Sequence, residues 1–231
     1  MRKGFTLVEL SIVLVIIGLL IGGILVAQSM IQTSKLEMTI RQLSQYDAAF
    51  ANFITKYNQI PGDSNKFNPA GNNNNDNTDG SEEGYAWAHL SQGVSLMKSD
   101  GTAYTGADWG ATLPDENSCP TLPIDHNSNG YYCVELKYIS NVYTRYEFRW
   151  GGPGYNPDSA HLSIKPSDAL ALDTKLDDGL PRFGNVQTYE PNAASNPCEQ
   201  DYYTYNLTAP MLYSCVPVFQ IGLSNGVSTT N

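Results

Sequence analysis

The stretch Met1-Arg2-Lys3-Gly4-Phe5-Thr6-Leu7-Val8-Glu9-Leu10, with the run behind it, decides the fold. From Leu10 through Ser34 no side chain is charged, and Leu10–Ala27 is almost wholly apolar. About 20 such residues suffice for a helix to cross a bilayer. Arg2 and Lys3 then stay on the cytoplasmic side, as basic flanks do. A secretory signal peptide ends its apolar core at a small-residue cleavage site. No such site follows here, and the pattern runs on into more helix. Glu9 is the second departure, because a carboxylate at the edge of an apolar span is costly unless it has a partner.

Beyond the apolar run the pattern turns amphipathic. Leu36, Ile40, Leu43, Tyr46, Phe50, Ile54 and Tyr57 step by threes and fours, while Lys35, Glu37, Arg41, Gln45 and Lys56 take other faces. That spacing is one face of a helix. Ile60-Pro61-Gly62-Asp63 stops it, since proline cannot continue a helix and glycine breaks it. A helix from Thr6 to Tyr57 would be about 78 Å long at 1.5 Å per residue.

The rest of the chain has a different character. Of 231 residues only 16% are charged, with 13 basic against 23 acidic and a net charge of -10. Phosphate binding needs clustered Lys and Arg, so nucleic acid is not the expected main partner. The region 68–83 is rich in Asn and Gly and reads as a loop. A short helix is expected over Tyr85–Met97, with Trp87, Leu90 and Val94 on one side. Tyr131–Tyr138 and Tyr143–Trp150 read as strands, in the second of which Tyr146, Phe148 and Trp150 alternate with charged residues. The two are expected to form an antiparallel hairpin. His161–Lys165 reads as a further strand, Ser167 as the cap of a helix through Leu172, and Tyr213–Ile221 as a late strand. In that last strand Pro217 suggests an edge or a bulge.

The four cysteines, Cys119, Cys133, Cys198 and Cys215, lack metal-finger spacing. They allow three pairings. The expected one, Cys119–Cys133 with Cys198–Cys215, closes two short local loops, with buried free thiols as the alternative. Two loops carry oxygen ligands suited to a hard cation. Asn75, Asn77 and Asp79 alternate ahead of Gly80 in the first, with a solvated turn as the alternative. In the second, Asp173, Asp177 and Asp178 would repel one another unless solvated or bound to a cation. Calcium is thus the one candidate cofactor. His89, His126 and His161 are scattered, and no metalloprotease, hydrolase, P-loop or dinucleotide motif is present. An enzyme is not expected, and no catalytic residue is assigned. The 15 tyrosines could stack on sugars, but filling a small loop-rich core is the plainer role.

Gly4-Phe5-Thr6-Leu7-Val8-Glu9 resembles the processing site of type IV pilins and type II secretion pseudopilins. The short basic leader, the glycine before the cut, the phenylalanine after it and the glutamate five residues into the mature chain all match. The resemblance implies that a prepilin peptidase cuts after Gly4 and methylates Phe5, and that the apolar helix is retained. It implies that Glu9 pairs with the terminal amine of a neighbouring subunit during assembly. The fold it implies is α+β and pilin-like, a long N-terminal helix, transmembrane in its first half, packed against a loop-rich antiparallel β-sheet head. The expected segments are a leader at 1–4, a membrane or filament-core helix at 5–30, its amphipathic second half at 31–60 and an extracytoplasmic head at 61–231. The implied partners are other pilin or pseudopilin subunits, the peptidase and the bacterial inner membrane. Many major subunits have a proline near residue 26, where this chain has Val26, which favours a minor subunit. The alternative is a minor pilin whose head binds a surface, DNA or a secreted substrate. Major pseudopilins bind calcium in a late head loop, and the Asp173–Pro181 run is similar in kind. Pro61-Gly62-Asp63 and Trp87-Ala88-His89-Leu90 also resemble segments of pilin-like proteins.

Overall fold

Helix α1 spans Leu7–Tyr57, 51 residues, or about 77 Å. The computed structural model describes residues 6–69, 81–106, 120, 122–124, 133–139, 145–151, 164–188, 198–208, 215 and 217–221. Thr6 caps α1, and Asn58, in the left-handed conformation at φ 51°, ends it. The helix runs unbroken through Gly18, Gly22, Gly23 and Val26. Two environments divide it. Residues 6–34 are all exposed, and burial begins at Lys35 and Leu36.

In the second half Leu36, Thr39, Leu43, Tyr46, Phe50 and Phe53 form the buried stripe. The stripe holds to an alternating four- and three-residue step, so Phe53 takes the centre. Ile40, Ile54 and Tyr57, expected on that face, lie partly buried at its edges. Thr39 is tolerated because its hydroxyl donates to the Lys35 carbonyl within the helix.

Helix α2, Ser81–Val94, packs across α1. It begins and ends earlier than the expected Tyr85–Met97. Ser95 adopts a positive φ of 57°, and Met97 instead forms an isolated β-bridge with Ala103. Trp87 and Leu90 are fully buried, and Trp87 meets Tyr46 edge-on at 5.0 Å between ring centres. Gly93 sets the closeness of the two helices, because a Cβ there would lie 2.6 Å from the Phe53 ring. The Tyr57 hydroxyl and the Lys56 ammonium both donate to the Gly93 carbonyl at 3.0 Å. They satisfy a helix-end acceptor that has no partner within α2.

Strands β1 (Cys133–Ile139) and β2 (Arg145–Gly151) form the expected antiparallel hairpin, with Leu136 opposite Phe148. Helix α3 spans Pro166–Leu176, four residues past the expected end. Lys165 occupies the cap position without a side-chain bond, and Pro166 starts the helix, so Ser167 is not the cap. Strands β3 (Val186–Thr188), β4 (Glu199–Asp201), β5 (Thr204–Tyr205) and β6 (Pro217–Ile221) follow. Among the described residues, the main sheet has the order β1-β2-β6-β3, and β4 pairs with β5 in a second, two-stranded sheet. Because β6 is an inner strand, Pro217 marks no edge. It stands at the strand's first residue, and pairing with β2 starts at Val218. Of the expected strand His161–Lys165, residues 161–163 lie outside the described residues, and Ile164 makes an isolated bridge to Cys215.

Candidate functional site

The N-terminus of α1 brings together the two polar groups that precede the apolar run. The backbone N–H and the hydroxyl of Thr6 each donate to Glu9 Oε2 at 2.8 Å, and the Glu9 N–H donates to the Thr6 hydroxyl at 3.2 Å. This reciprocal capping box satisfies helix-end donors and turns the carboxylate back toward the chain start. A carboxylate in the first helical turn also complements the helix dipole. Gly4 and Phe5 lie outside the described residues. Behind Glu9 the apolar segment has a mean hydropathy of 3.0 over its best window and buries none of that surface in the chain itself.

The second site lies at the end of α3, where the oxygens of Asp173, Asp177 and Asp178 come within 4.8 Å of one another. Each carboxylate also has partners from the chain. Asp173 is fully buried. It accepts from the Tyr205 hydroxyl at 2.8 Å and from the Gly179 N–H at 3.1 Å. Asp177 accepts from the N–H groups of Asn185 and Val186, and Asp178 from that of Leu180 at 2.8 Å. Gly184 fits against this turn only as glycine, since φ is 69° and a Cβ would fall 1.9 Å from Asp177 Oδ2. Burial raises the Asp173 carboxyl to about 6, against the opposing effect of its two donors. Burial, followed by the bond to Asp173, pushes the Tyr205 hydroxyl upward. The other proposed loop, Asn75, Asn77 and Asp79, lies outside the described residues.

Cys198 and Cys215 are joined by a disulfide, with Cα atoms 4.9 Å apart. Cys119 lies outside the described residues, so its expected bond to Cys133 does too. His126 and His161 also lie outside them. The β4–β5 hairpin inside the disulfide loop was not legible as strand, because its two arms have only three and two residues. Its base holds a buried Glu199 paired with Arg182 and bonded to the Thr188 hydroxyl. Arg182 lies 4.6 Å over the Tyr202 ring, and Phe183 stacks on Tyr203 at 5.3 Å. Tyr202, Tyr203 and Leu207 each remain more than 60% exposed, an aromatic patch that composition alone did not locate.

Residues 1–25 match the family model of the prokaryotic N-terminal methylation motif, the signature of type IV pilins and pseudopilins. With the long apolar helix and the antiparallel sheets behind it, the layout fits that of a type IV pilin-like or pseudopilin subunit. The motif implies prepilin peptidase processing and assembly with other pilin subunits, and the apolar helix fits inner-membrane anchoring before assembly. No curated protein or solved structure matches the chain.

Proposed function

We propose that this chain is a minor subunit of a type IV pilus or type II secretion pseudopilus, cut after Gly4 and methylated on Phe5. Glu9 then pairs with the terminal amine of a neighbouring subunit. The observation that carries this reading is one carboxylate held at the cap of a helix whose next 25 residues carry no charge. Burying that carboxylate in a filament is strongly unfavourable without an opposite charge. Minor status is supported by Val26 in an unbroken helix, where proline would loosen the spine. Glu9→Ala is expected to leave the head folded and to block incorporation into filaments beside wild-type subunits. Mass spectrometry of assembled filaments from the host is expected to find methylated Phe5 at the terminus. Normal incorporation of the variant, or an intact Met1, overturns the proposal.

A second reading is favoured by the exposed Tyr202 and Tyr203, namely that the head binds a surface or a secreted substrate. Tyr202→Ser with Tyr203→Ser then leaves filaments intact and removes adhesion or substrate capture. We also propose calcium for the Asp173, Asp177 and Asp178 turn, since clustered carboxylate oxygens suit a hard cation.

A further inference from the structure

Two of the segments singled out above, Pro61-Gly62-Asp63 and Trp87-Ala88-His89-Leu90, meet in space. His89 and Gln92 lie three apart on α2 and therefore project from one face. His89 is fully buried. Its Nδ1 accepts from the Gly62 N–H at 2.9 Å, and its Nε2 lies 2.6 Å from the Pro69 carbonyl oxygen. A backbone N–H only donates and a carbonyl only accepts. The ring is therefore neutral, with its single proton on Nε2. Gln92 makes a matching exchange with Asn68. Its Oε1 accepts from the Asn68 N–H at 3.2 Å, and its Nε2 donates to the Asn68 carbonyl. The segment that joins the helical spine to the head is thus fastened to α2 at two points. The rings of Phe53 and Phe67 flank the imidazole, at 6.4 and 5.4 Å between centres.

We propose that His89 is a pH-sensitive latch on this neck, which releases Gly62 and its turn when the imidazole gains a second proton. The only ring atom free to take that proton is Nδ1, the acceptor for Gly62. Protonation sets two N–H donors against each other, and the buried Gly62 amide is left unpaired unless the turn opens to water. The bond from Nε2 to Pro69 survives, and so does the Gln92 clasp, which does not titrate. Opening is therefore confined to the 60–64 side of the neck.

Among the described residues, the charged groups near the latch are few. Asp63 of the turn favours the imidazolium. Glu82 lies two turns earlier on α2 and is buried. Lys66 belongs to the neck itself, and the Lys56 ammonium of α1 is bonded to the Gly93 carbonyl. Burial disfavours the charged ring more than Pro69 and Asp63 favour it, so His89 titrates below the ordinary imidazole value when closed. A group depressed in this way stabilises the closed neck fully above about pH 6.5. That stability is lost as pH falls toward the closed-state value. Over that window the ratio of open to closed neck rises by at most about tenfold per pH unit.

The test is amide hydrogen exchange on the full chain in detergent micelles, read as protection factors between pH 7.5 and 5.5. Gly62 is expected to lose protection below pH 6.5, by at most about tenfold per unit, while Asn68 keeps its own. His89→Asn places a non-titrating oxygen near the Nδ1 position and is expected to abolish the acid dependence at Gly62. Parallel loss at Gly62 and Asn68, or an unchanged acid response in His89→Asn, overturns the latch. Should that variant fail to fold, the wild-type imidazole decides. A bare Nδ1 at pH 7.5, whose protonation tracks Gly62 exchange, supports the latch, and an Nδ1 already protonated at pH 7.5 sinks it.

Discussion

The two halves of α1 share one backbone geometry and differ in what covers them. The first half leaves Leu14, Leu19, Leu25 and their neighbours exposed, while the second buries Leu36, Leu43, Phe50 and Phe53 under the head. The first half therefore depends on a bilayer or on other subunits for its burial, and the second is an ordinary amphipathic core helix. Charge follows the same division. In the anchor half the lone carboxylate, Glu9, is bonded among the described residues to Thr6 and remains exposed. In the head the buried Asp173 is met by donors from two other segments of the chain.

The largest effect that would sharpen this contrast is truncation in the head half. Phe53 is fully buried against Phe67, Tyr57 and α2. Phe53→Ala is expected to destabilise the head by about 3–5 kcal/mol. Leu14→Ala, equally apolar and on the same helix, is expected to leave head unfolding in detergent unchanged. Thermal denaturation of both variants followed by near-UV circular dichroism checks the pair. A comparable loss in Leu14→Ala would break the division of the helix into two regimes.

Next in size is the covalent closure of the head. The Cys198–Cys215 bond spans 17 residues. Its removal by Cys198→Ala with Cys215→Ala is expected to cost about 3 kcal/mol, chiefly by freeing the unfolded chain. Denaturant unfolding measures this, and membrane insertion of the anchor half is expected not to change. Insertion that fails with the disulfide would mean that the halves are coupled.

How much was legible beforehand follows the same line. The anchor half is written as composition, an uninterrupted apolar run behind Glu9, so its helix was readable, whereas the Thr6–Glu9 capping box at its start was not read beforehand. The β1–β2 hairpin was also readable, because alternation over seven residues is a strong strand signal. The short strands β3, β4 and β5 carry too few residues for any period to show. Pro217 misled because proline excludes only a laddered N–H, and at the head of β6 none is required on the β2 side. The Asp173 turn was found as a charge cluster. That Asp177 would fasten Asn185 and Val186 was not, since those bonds depend on the tertiary path of the chain.

The smallest effect concerns protons and calcium at that turn, and it tests whether the head's buried carboxyl is complete without a cation. Asp173 titrates near 6 in the folded chain against an ordinary value near 3.8. The folded state then binds more protons than the unfolded one between those values. Stability from this group is full below the lower value and is lost as pH rises through the upper one. In chelator the head is therefore expected to melt at a progressively lower temperature as pH rises from 4 to 6. Asp173→Asn keeps an acceptor for Gly179 and is expected to remove that component. Calcium binds the ionised form, so it should offset the loss. Millimolar calcium is expected to raise the melting temperature more at pH 7.5 than at pH 5, consistent with the modest affinities of extracellular sites. Asp178→Asn preserves the bond to Leu180 but drops one charge, and should weaken the calcium shift; because the Asp178 charge also helps to raise the Asp173 carboxyl, the proton effect should shrink slightly with it. If calcium leaves the melting temperature unmoved at pH 7.5, the three carboxylates serve only to shape the turn, and the proton dependence stands by itself.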